Sequence, residues 1–192
     1  MKFNPLSVFF RIFNLMFYPD REWRTIAAEN NHRQAVFVRF VLPFFCLIAV
    51  ATIIGTWLVT SRENYSASYV AFKIADLLSS LIAGLFLSAF VITEIMAQQT
   101  GSKEQRRAFA LIAYASGAAY LVIAIVELFP FFNELLVLAF YSCYLYWRGI
   151  PHLIQVDGQK QMIYGLLSFI IMALMHSLMF FLFGNLWRAI LL

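Results

Sequence analysis

Long apolar runs alternate with short polar stretches along most of the chain. Each run approaches the roughly 20 apolar residues that a helix needs to cross a bilayer. The runs cover positions 36–60, 74–97, 108–129, 135–150 and 163–183. A short Pro-Phe-Phe-Asn-Glu stretch separates the third and fourth runs, so Pro130 is expected to end a helix at a tight hairpin. The pattern predicts an all-α integral membrane protein with five transmembrane helices in one bundle.

The first 33 residues have a different pattern. Four polar residues at helical spacing form a narrow stripe, which consists of Ser7, Arg11, Asn14 and Tyr18. Pro19 then interrupts the helix, and Asp20 is placed to cap a second short helix that carries Trp23. We therefore expect residues 1–33 to form an N-terminal amphipathic arm in the bilayer interface, followed by a transmembrane domain at residues 34–192.

The composition agrees with membrane insertion. Of the 192 residues, 62% are apolar and 12% are charged, whereas soluble domains have roughly 45–50% and about 25%. This excludes a nucleic-acid module, a secreted disulfide scaffold and a disordered tail. Cys46 and Cys143 lie inside apolar runs and form no metal motif. No nucleophile–base pair or cofactor motif is present, so we expect no enzyme, no cofactor and no metal site.

The distribution of Lys and Arg predicts the orientation. Eleven of the 14 basic residues share the cytoplasmic side if the amino terminus is cytoplasmic. The other side then holds Arg62, Lys73 and Arg188. This predicts a cytoplasmic amino terminus and an external carboxyl terminus. Arg106 and Arg107 are expected to meet anionic lipid headgroups on the cytoplasmic side.

Charged residues inside the predicted spans are candidate functional groups. Arg39 and Glu94 lie at equal depth near the cytoplasmic boundary, which makes an ion pair plausible if their helices are neighbours. The alternatives to a functional pair are that Arg39 and Glu94 pair only to fix the helix register, or that each side chain reaches water separately. His176 is near mid-depth. It is a candidate proton site or ligand contact, and the alternative is a histidine that is hydrogen-bonded within the bundle.

Three carboxylates are expected near the outer boundary, namely Asp76, Glu127 and Glu134. They could converge into a cation vestibule or a site for a hard metal ion. Ordinary solvation at the interface is the alternative. Lys73 precedes Asp76 by three residues, so these two side chains can pair on one helix face.

Several short motifs follow one another in a characteristic order. The arm has Ile-Phe-Asn-Leu at 12–15 and then Pro19, Trp23 and Ile26. Further along are Gly-Ser at 101–102, Tyr-Ala-Ser at 114–116, Pro130, an aromatic fourth run that ends in Gly-Ile-Pro at 149–151, and Tyr164. In this order they resemble the bacterial members of the Yip family, small membrane proteins named for their Ypt/Rab-interacting eukaryotic relatives.

The resemblance covers nearly the whole chain and implies a five-span membrane protein. The chain departs from the family pattern at Gly117 and Ala118, where a proline is usual. The eukaryotic Asp-Leu-Tyr-Gly-Pro motif is missing, so Rab binding is not carried over. The resemblance implies a bacterial inner-membrane protein.

Two functions are compatible with these features. The first is a non-enzymatic adaptor or organiser that engages lipid and an unknown protein partner through basic and aromatic residues, with candidates Arg11, Trp23, Arg24, Arg106, Arg107 and Arg148. The alternative is a small transporter or channel that uses Asp76, Glu94, Glu127 and His176. Small residues around Gly117 also allow close packing between helices of one chain or of a homo-oligomer.

Overall fold

The computed structural model describes residues 6–59, 66–100, 105–154 and 158–191, and these residues are almost entirely helical. The α-helices are α1 (Leu6–Phe17), α2 (Pro19–Glu29), α3 (Arg33–Val36), α4 (Leu42–Val59), α5 (Ala67–Thr100), α6 (Gln105–Ala115), α7 (Gly117–Leu128), α8 (Tyr141–Leu153) and α9 (Gly158–Leu191). A π-helical turn, Phe37–Val41, joins α3 to α4, and a 3-10 helix, Pro130–Phe140, joins α7 to α8. The expected all-α class is confirmed. Arg62, Gly101 and Ser102 lie outside the described residues.

The π-helical turn has a cause in the sequence. Pro43 has no backbone N–H, and its ring would clash with the carbonyl of Arg39 in a regular α-helix. The wider turn relieves this conflict, and the N–H of Leu42 donates to the carbonyl of Phe37, five residues earlier. Arg33–Val59 therefore continues as one helical stretch of 27 residues.

The third predicted span is also interrupted once. Ser116 separates α6 from α7, and the backbone N–H of Ala119 donates to Ser142 Oγ at 2.9 Å instead of to a carbonyl of its own helix. Gly117 allows close packing at this point, because a Cβ there would lie 2.7 Å from both Ile12 and Phe40. The break thus lies where side chains of α1 and of the π-helical turn pack closely against α7.

The helices pack so that α6 and α7 lie at the centre. In the bundle, α7 packs along α4, while α6 packs against α5 and α8. The last helix, α9, packs mainly along α5 at the edge. The arm packs on the same core, because Val8, Ile12 and Leu15 of α1 are buried together with residues of α6 and α8.

Four described helical stretches are long and apolar enough to cross a membrane, where five were predicted. They are Arg33–Val59, Ala67–Ile95, Gln105–Leu128 and Phe169–Ile190. The predicted span at 135–150 is not among them. Its first part is 3-10 helix, and the 13 residues of α8 reach only about 20 Å, less than the roughly 30 Å of a hydrocarbon core. The chain does turn near Pro130: α7 ends at Leu128, the backbone is not helical at Phe129 and Phe132, and the 3-10 helix packs back against α7.

In the predicted polar stripe, Asn14 and Tyr18 are exposed, whereas Arg11 is not. Arg11, a member of that stripe, turns toward the protein and is partly buried. The outward face is aromatic and carries Phe10, Phe13 and Phe17, each at least 60% exposed. The reason is that Arg11 finds carboxylate partners on α2, which sequence periodicity does not reveal.

Candidate functional site

The arm is anchored to the bundle by a buried tryptophan. Trp23 of α2 is fully buried and packs against α8 at Gly149, where an added Cβ would lie 2.8 Å from the indole and 2.5 Å from Leu111. Because Gly149 has no side chain, it leaves the space that the indole of Trp23 occupies. This differs from the expected role of Trp23 in a partner surface, because its side chain contacts the core.

Arg11 forms a second anchor between α1, α2 and α6. Its guanidinium donates to Glu29 at 2.7 Å and to the hydroxyl of Tyr114 at 3.2 Å, and it pairs with Glu22 at 3.2 Å. The hydrogen bond from Arg11, together with its charge, lowers the pKa of Glu29, and the bond to Glu29 raises the pKa of Arg11. Both groups are charged near neutral pH, so Arg11 holds the arm in place.

A third anchor joins α2 to α8 through Asp20. Its carboxylate accepts a hydrogen bond from Arg148 and lies 3.5 Å from His152 Nε2. Partial burial opposes ionisation of Asp20, but the hydrogen bond and charge of Arg148 outweigh it and lower the pKa of Asp20. The predicted capping role is wrong: α2 begins at Pro19, Tyr18 is its N-cap, and no side chain caps it.

One further bond fixes the end of α1. The Tyr141 hydroxyl donates to the backbone carbonyl of Met16 at 2.6 Å. Tyr141 begins α8, so this helix contacts both helices of the arm. We call the surface formed by α1, α2, the start of α6 and the end of α8 the arm face.

The six candidate interface residues fall into two groups. Trp23 and Arg11 are anchors, and Arg148 is a half-exposed anchor through Asp20. Arg24 and Arg106 are exposed, while Arg107 is partly buried. Among the six candidates, the structure thus leaves Arg24 and Arg106 as the exposed residues that anchor nothing in the described contacts.

Next to the arm face, between α3 and the start of α6, lies a cleft that the sequence did not reveal. A space of about 620 Å³ is lined by Asn30, His32, Arg33, Gln34, Gln105, Arg106 and Arg107. We call it the basic cleft. Arg33 and Arg106 lie on different helices and are far apart in the sequence, so no local motif brings them together. The only signal was the basic character of each short segment on its own.

The predicted cluster of outer carboxylates is not formed in the described part of the chain. Lys73 Nζ pairs with Glu127 at 2.7 Å, so the lysine joins α5 to α7 and does not pair with Asp76 as expected. Asp76 lies beside Ser80 and faces Gly184 of α9, and Glu134 is exposed on the 3-10 helix. Within the described ranges, no group of three or more His, Cys, Asp or Glu could hold a metal ion.

The inner pair of Arg39 and Glu94 is likewise not among the ion pairs of the described residues. Arg39 is exposed on the π-helical turn, while its neighbours Phe40 and Val41 face the core. Because the helix presents Arg39 outward, its guanidinium does not point into the bundle.

His176 packs over Gly84 of α5, where an added Cβ would lie 2.7 Å from the imidazole ring. It also lines a mostly apolar groove of about 340 Å³, together with Ser116, Ser142 and Phe169. Asp76, Glu94 and Glu127 are not among the described residues that line this groove. The four polar residues of the transport hypothesis are therefore distributed over separate places.

The comparison with protein families identifies the class of protein. The family model of the Yip1 domain matches residues 13–181, and this range is most of the chain. The chain therefore belongs to the Yip family of multi-pass membrane proteins, and the expected resemblance is confirmed. No curated protein and no solved structure matches the chain.

Four residues of the family motifs share one location in the structure. Of the residues that carry the resemblance, Ile12, Trp23, Tyr114 and Gly149 all contribute to the contacts of the arm with the bundle. Arg148, next to Gly149, holds Asp20. Motifs that are separated along the sequence thus build a single feature, the anchored arm.

Proposed function

We propose that this protein is a non-enzymatic adaptor or organiser of a bacterial inner membrane, and that its arm face binds lipid and a protein partner. The observation that carries the proposal is the anchored arm. Trp23, Arg11 and Asp20 hold two helices in a fixed position whose outer surface is aromatic and basic. A rigid surface loses little conformational entropy on binding, which suits a docking function.

The exposed residues of the arm face supply the chemistry of docking. Phe10, Phe13 and Phe17 project from α1, and Arg24 projects from α2. Aromatic and arginine side chains commonly contribute most to binding at protein interfaces, and the same combination favours a lipid surface. The anchors Trp23 and Arg11 act indirectly, since they hold this surface in position.

We further infer five membrane crossings with a cytoplasmic arm face. The segment after α7 is kinked at Phe132 near its start, and the 8 further residues of the 3-10 helix together with the 13 residues of α8 extend about 36 Å. This segment begins where α7 ends, and Gly149 near its other end contacts Trp23 on the arm face. Such a path is long enough for a crossing. With five crossings, the start and the end of the transmembrane domain lie on opposite sides of the membrane.

The proposal is tested by crosslinking in native membranes followed by mass spectrometry. Deleting the arm would uncover the core around Leu111, so surface variants give a cleaner result. We expect Arg24→Glu/Arg106→Glu to lose crosslinks to other proteins. Arg188→Glu is the matched control, because Arg188 is exposed on α9, away from the arm face.

The comparison requires that all variants insert in equal amounts. Crosslinks that disappear only from the Arg24/Arg106 variant support docking at the arm face. If the crosslinked proteins are the same in the wild type and both variants, the proposed adaptor surface is wrong.

A further inference from the structure

The basic cleft combines positive charge with neutral hydrogen-bonding groups. Arg33, Arg106 and Arg107 contribute guanidinium groups, and Gln34 and Gln105 contribute side-chain amides. None of the seven described lining residues is acidic. Guanidinium groups bind phosphate oxygens in a bidentate manner, while amides can bind neighbouring hydroxyl groups. The lining therefore suits a phosphate group with a polar substituent.

The nearest acids of α2 do not neutralise the cleft directly. Glu22 and Glu29 both turn toward Arg11, and Glu29 also accepts a hydrogen bond from Asn31 at 2.8 Å. Their carboxylates are thus used in anchoring the arm. Neither glutamate is among the described residues that line the cleft.

The size and position of the cleft indicate the kind of molecule. Its volume of about 620 Å³ lies in the range of small-molecule sites and exceeds what a bare phosphate ion needs. Two candidate membrane spans, Arg33–Val59 and Gln105–Leu128, begin with residues of its lining. The cleft is therefore at the level where lipid headgroups meet the ends of transmembrane helices.

We propose that the basic cleft binds the phosphate of an anionic phospholipid headgroup. This deepens the proposed function and rests on it for the cytoplasmic position of the arm face. Arg33 and Arg106 contact the phosphate, and the amides of Gln34 and Gln105 contact the hydroxyl groups of the headgroup. The bound lipid joins the start of α3 to the start of α6 beside the anchored arm.

The test uses the full chain, purified in a mild detergent, and native mass spectrometry of bound lipid. The probes are phosphatidylglycerol and phosphatidylcholine, with inorganic phosphate and glycerol 3-phosphate as soluble competitors. We expect stoichiometric retention of phosphatidylglycerol by the wild type. Arg33→Gln/Arg106→Gln should weaken it roughly tenfold or more, since two charged phosphate contacts are lost.

The control is Arg39→Gln/Arg188→Gln, which removes two positive charges from exposed positions outside both the arm face and the described lining of the cleft. Retained binding in this control and loss in the cleft variant support the proposal. Equal loss in both variants, or equal retention of both lipids by the wild type, would overturn it. If inorganic phosphate or glycerol 3-phosphate binds tightly with the same dependence on Arg33 and Arg106, the ligand is a soluble phosphate compound, and the proposal of a lipid ligand is wrong.

The result is distinct from the test of the adaptor. Lipid retention is measured on the isolated protein, whereas partner association is measured by crosslinking in membranes. Loss of crosslinks in the Arg24/Arg106 variant together with unselective lipid binding would contradict only the cleft. Selective lipid binding with unchanged crosslinks would contradict only the adaptor.

Discussion

The third and the last candidate spans are both strongly apolar, but they occupy opposite positions in the bundle. In Gln105–Leu128, 72% of an apolar stretch of 18 residues is buried inside the protein. In Phe169–Ile190 the corresponding share is 0% among the described residues. Apolar character therefore identifies both as membrane helices but does not say which one is surrounded by protein.

The difference lies in the size of the side chains. The buried face of α6 is rich in alanine, including Ala108, Ala113 and Ala115, and Gly117 begins α7 one residue further on. The outer surface of α9 carries large residues such as Leu174 and Phe181. Small residues let helices approach closely, and packing is a main source of helix association in lipid, where the hydrophobic effect no longer distinguishes protein from solvent.

The largest expected effect comes from removing the indole that anchors the arm next to α6. Trp23→Ala should lower the free energy of unfolding by roughly 3–5 kcal/mol, because it leaves a cavity against Leu111 and Gly149. Trp187→Ala on α9 is the matched change, and there we expect a smaller loss, since Trp187 is only partly buried and donates one hydrogen bond to Ser79. Unfolding in detergent, followed by circular dichroism, measures both.

Equal losses in the two tryptophan variants would break the comparison between the central and the peripheral helix. A further variant, Trp23→Phe, tests whether the ring of Trp23 or its N–H stabilises the arm. The indole N–H of Trp23 has no hydrogen-bond partner among the described residues, so replacement by phenylalanine should cost much less than replacement by alanine.

A second pair of variants compares glycines. A Cβ on Gly55 of α4 would lie 1.8 Å from the backbone oxygen of Glu127, so Gly55→Ala must push α4 away from α7. We expect a loss of about 1–3 kcal/mol or more. Gly184→Ala on α9 meets only Asp76, at 3.6 Å, and should change stability by no more than about 1 kcal/mol, with a stabilising contribution from helix propensity.

The same unfolding measurement checks the glycine pair. The outcome that would contradict our account of the central helices is a Gly55→Ala variant as stable as Gly184→Ala. It would mean that α4 and α7 can separate without loss of packing.

The smallest effect concerns pH. The pKa values of Glu29 and Asp20 are lowered in the folded protein, so their ionised forms stabilise the anchored arm above the ordinary carboxylate pKa of about 4. This contribution is lost as the pH falls through that value and then through the lowered pKa values. Because both carboxylates are partly exposed, we expect less than about 1 kcal/mol.

Unfolding between about pH 6 and pH 3 tests this dependence. Glu29→Gln/Asp20→Asn should show a shallower loss of stability with acidification than the wild type. If the two curves are parallel, these carboxylates do not hold the arm through their charges. The arm would then depend on Trp23, the buried side of α1 and the Tyr141–Met16 hydrogen bond.

Much of the fold could be predicted from the sequence. Four of the five apolar runs correspond to long helices, and the chain turns near Pro130 as predicted, although a 3-10 helix follows the turn where an α-helix was expected. The fourth run was the exception, because hydropathy does not distinguish α-helix from the narrower 3-10 helix. The amphipathic pattern of the arm predicted helices there, but not which side faces the bundle.

The site was much harder to predict. Arg11, Trp23 and Arg148 were expected to be on a partner surface because basic and aromatic residues often are. Their actual positions depend on Glu29, Gly149 and Asp20. A glycine that accommodates an indole more than a hundred residues away has no local signature.

By itself, the sequence determined the membrane class, the Yip family and the apolar stretches that form spans, because hydropathy and local motifs act over a few turns of helix. Only the tertiary structure decided that α6 is central and α9 peripheral, that Lys73 pairs with Glu127, and that Arg33 and Arg106 share one cleft. These outcomes depend on which helices lie side by side. Helix packing is fixed by the fit of side chains across the bundle, which no short stretch of sequence contains.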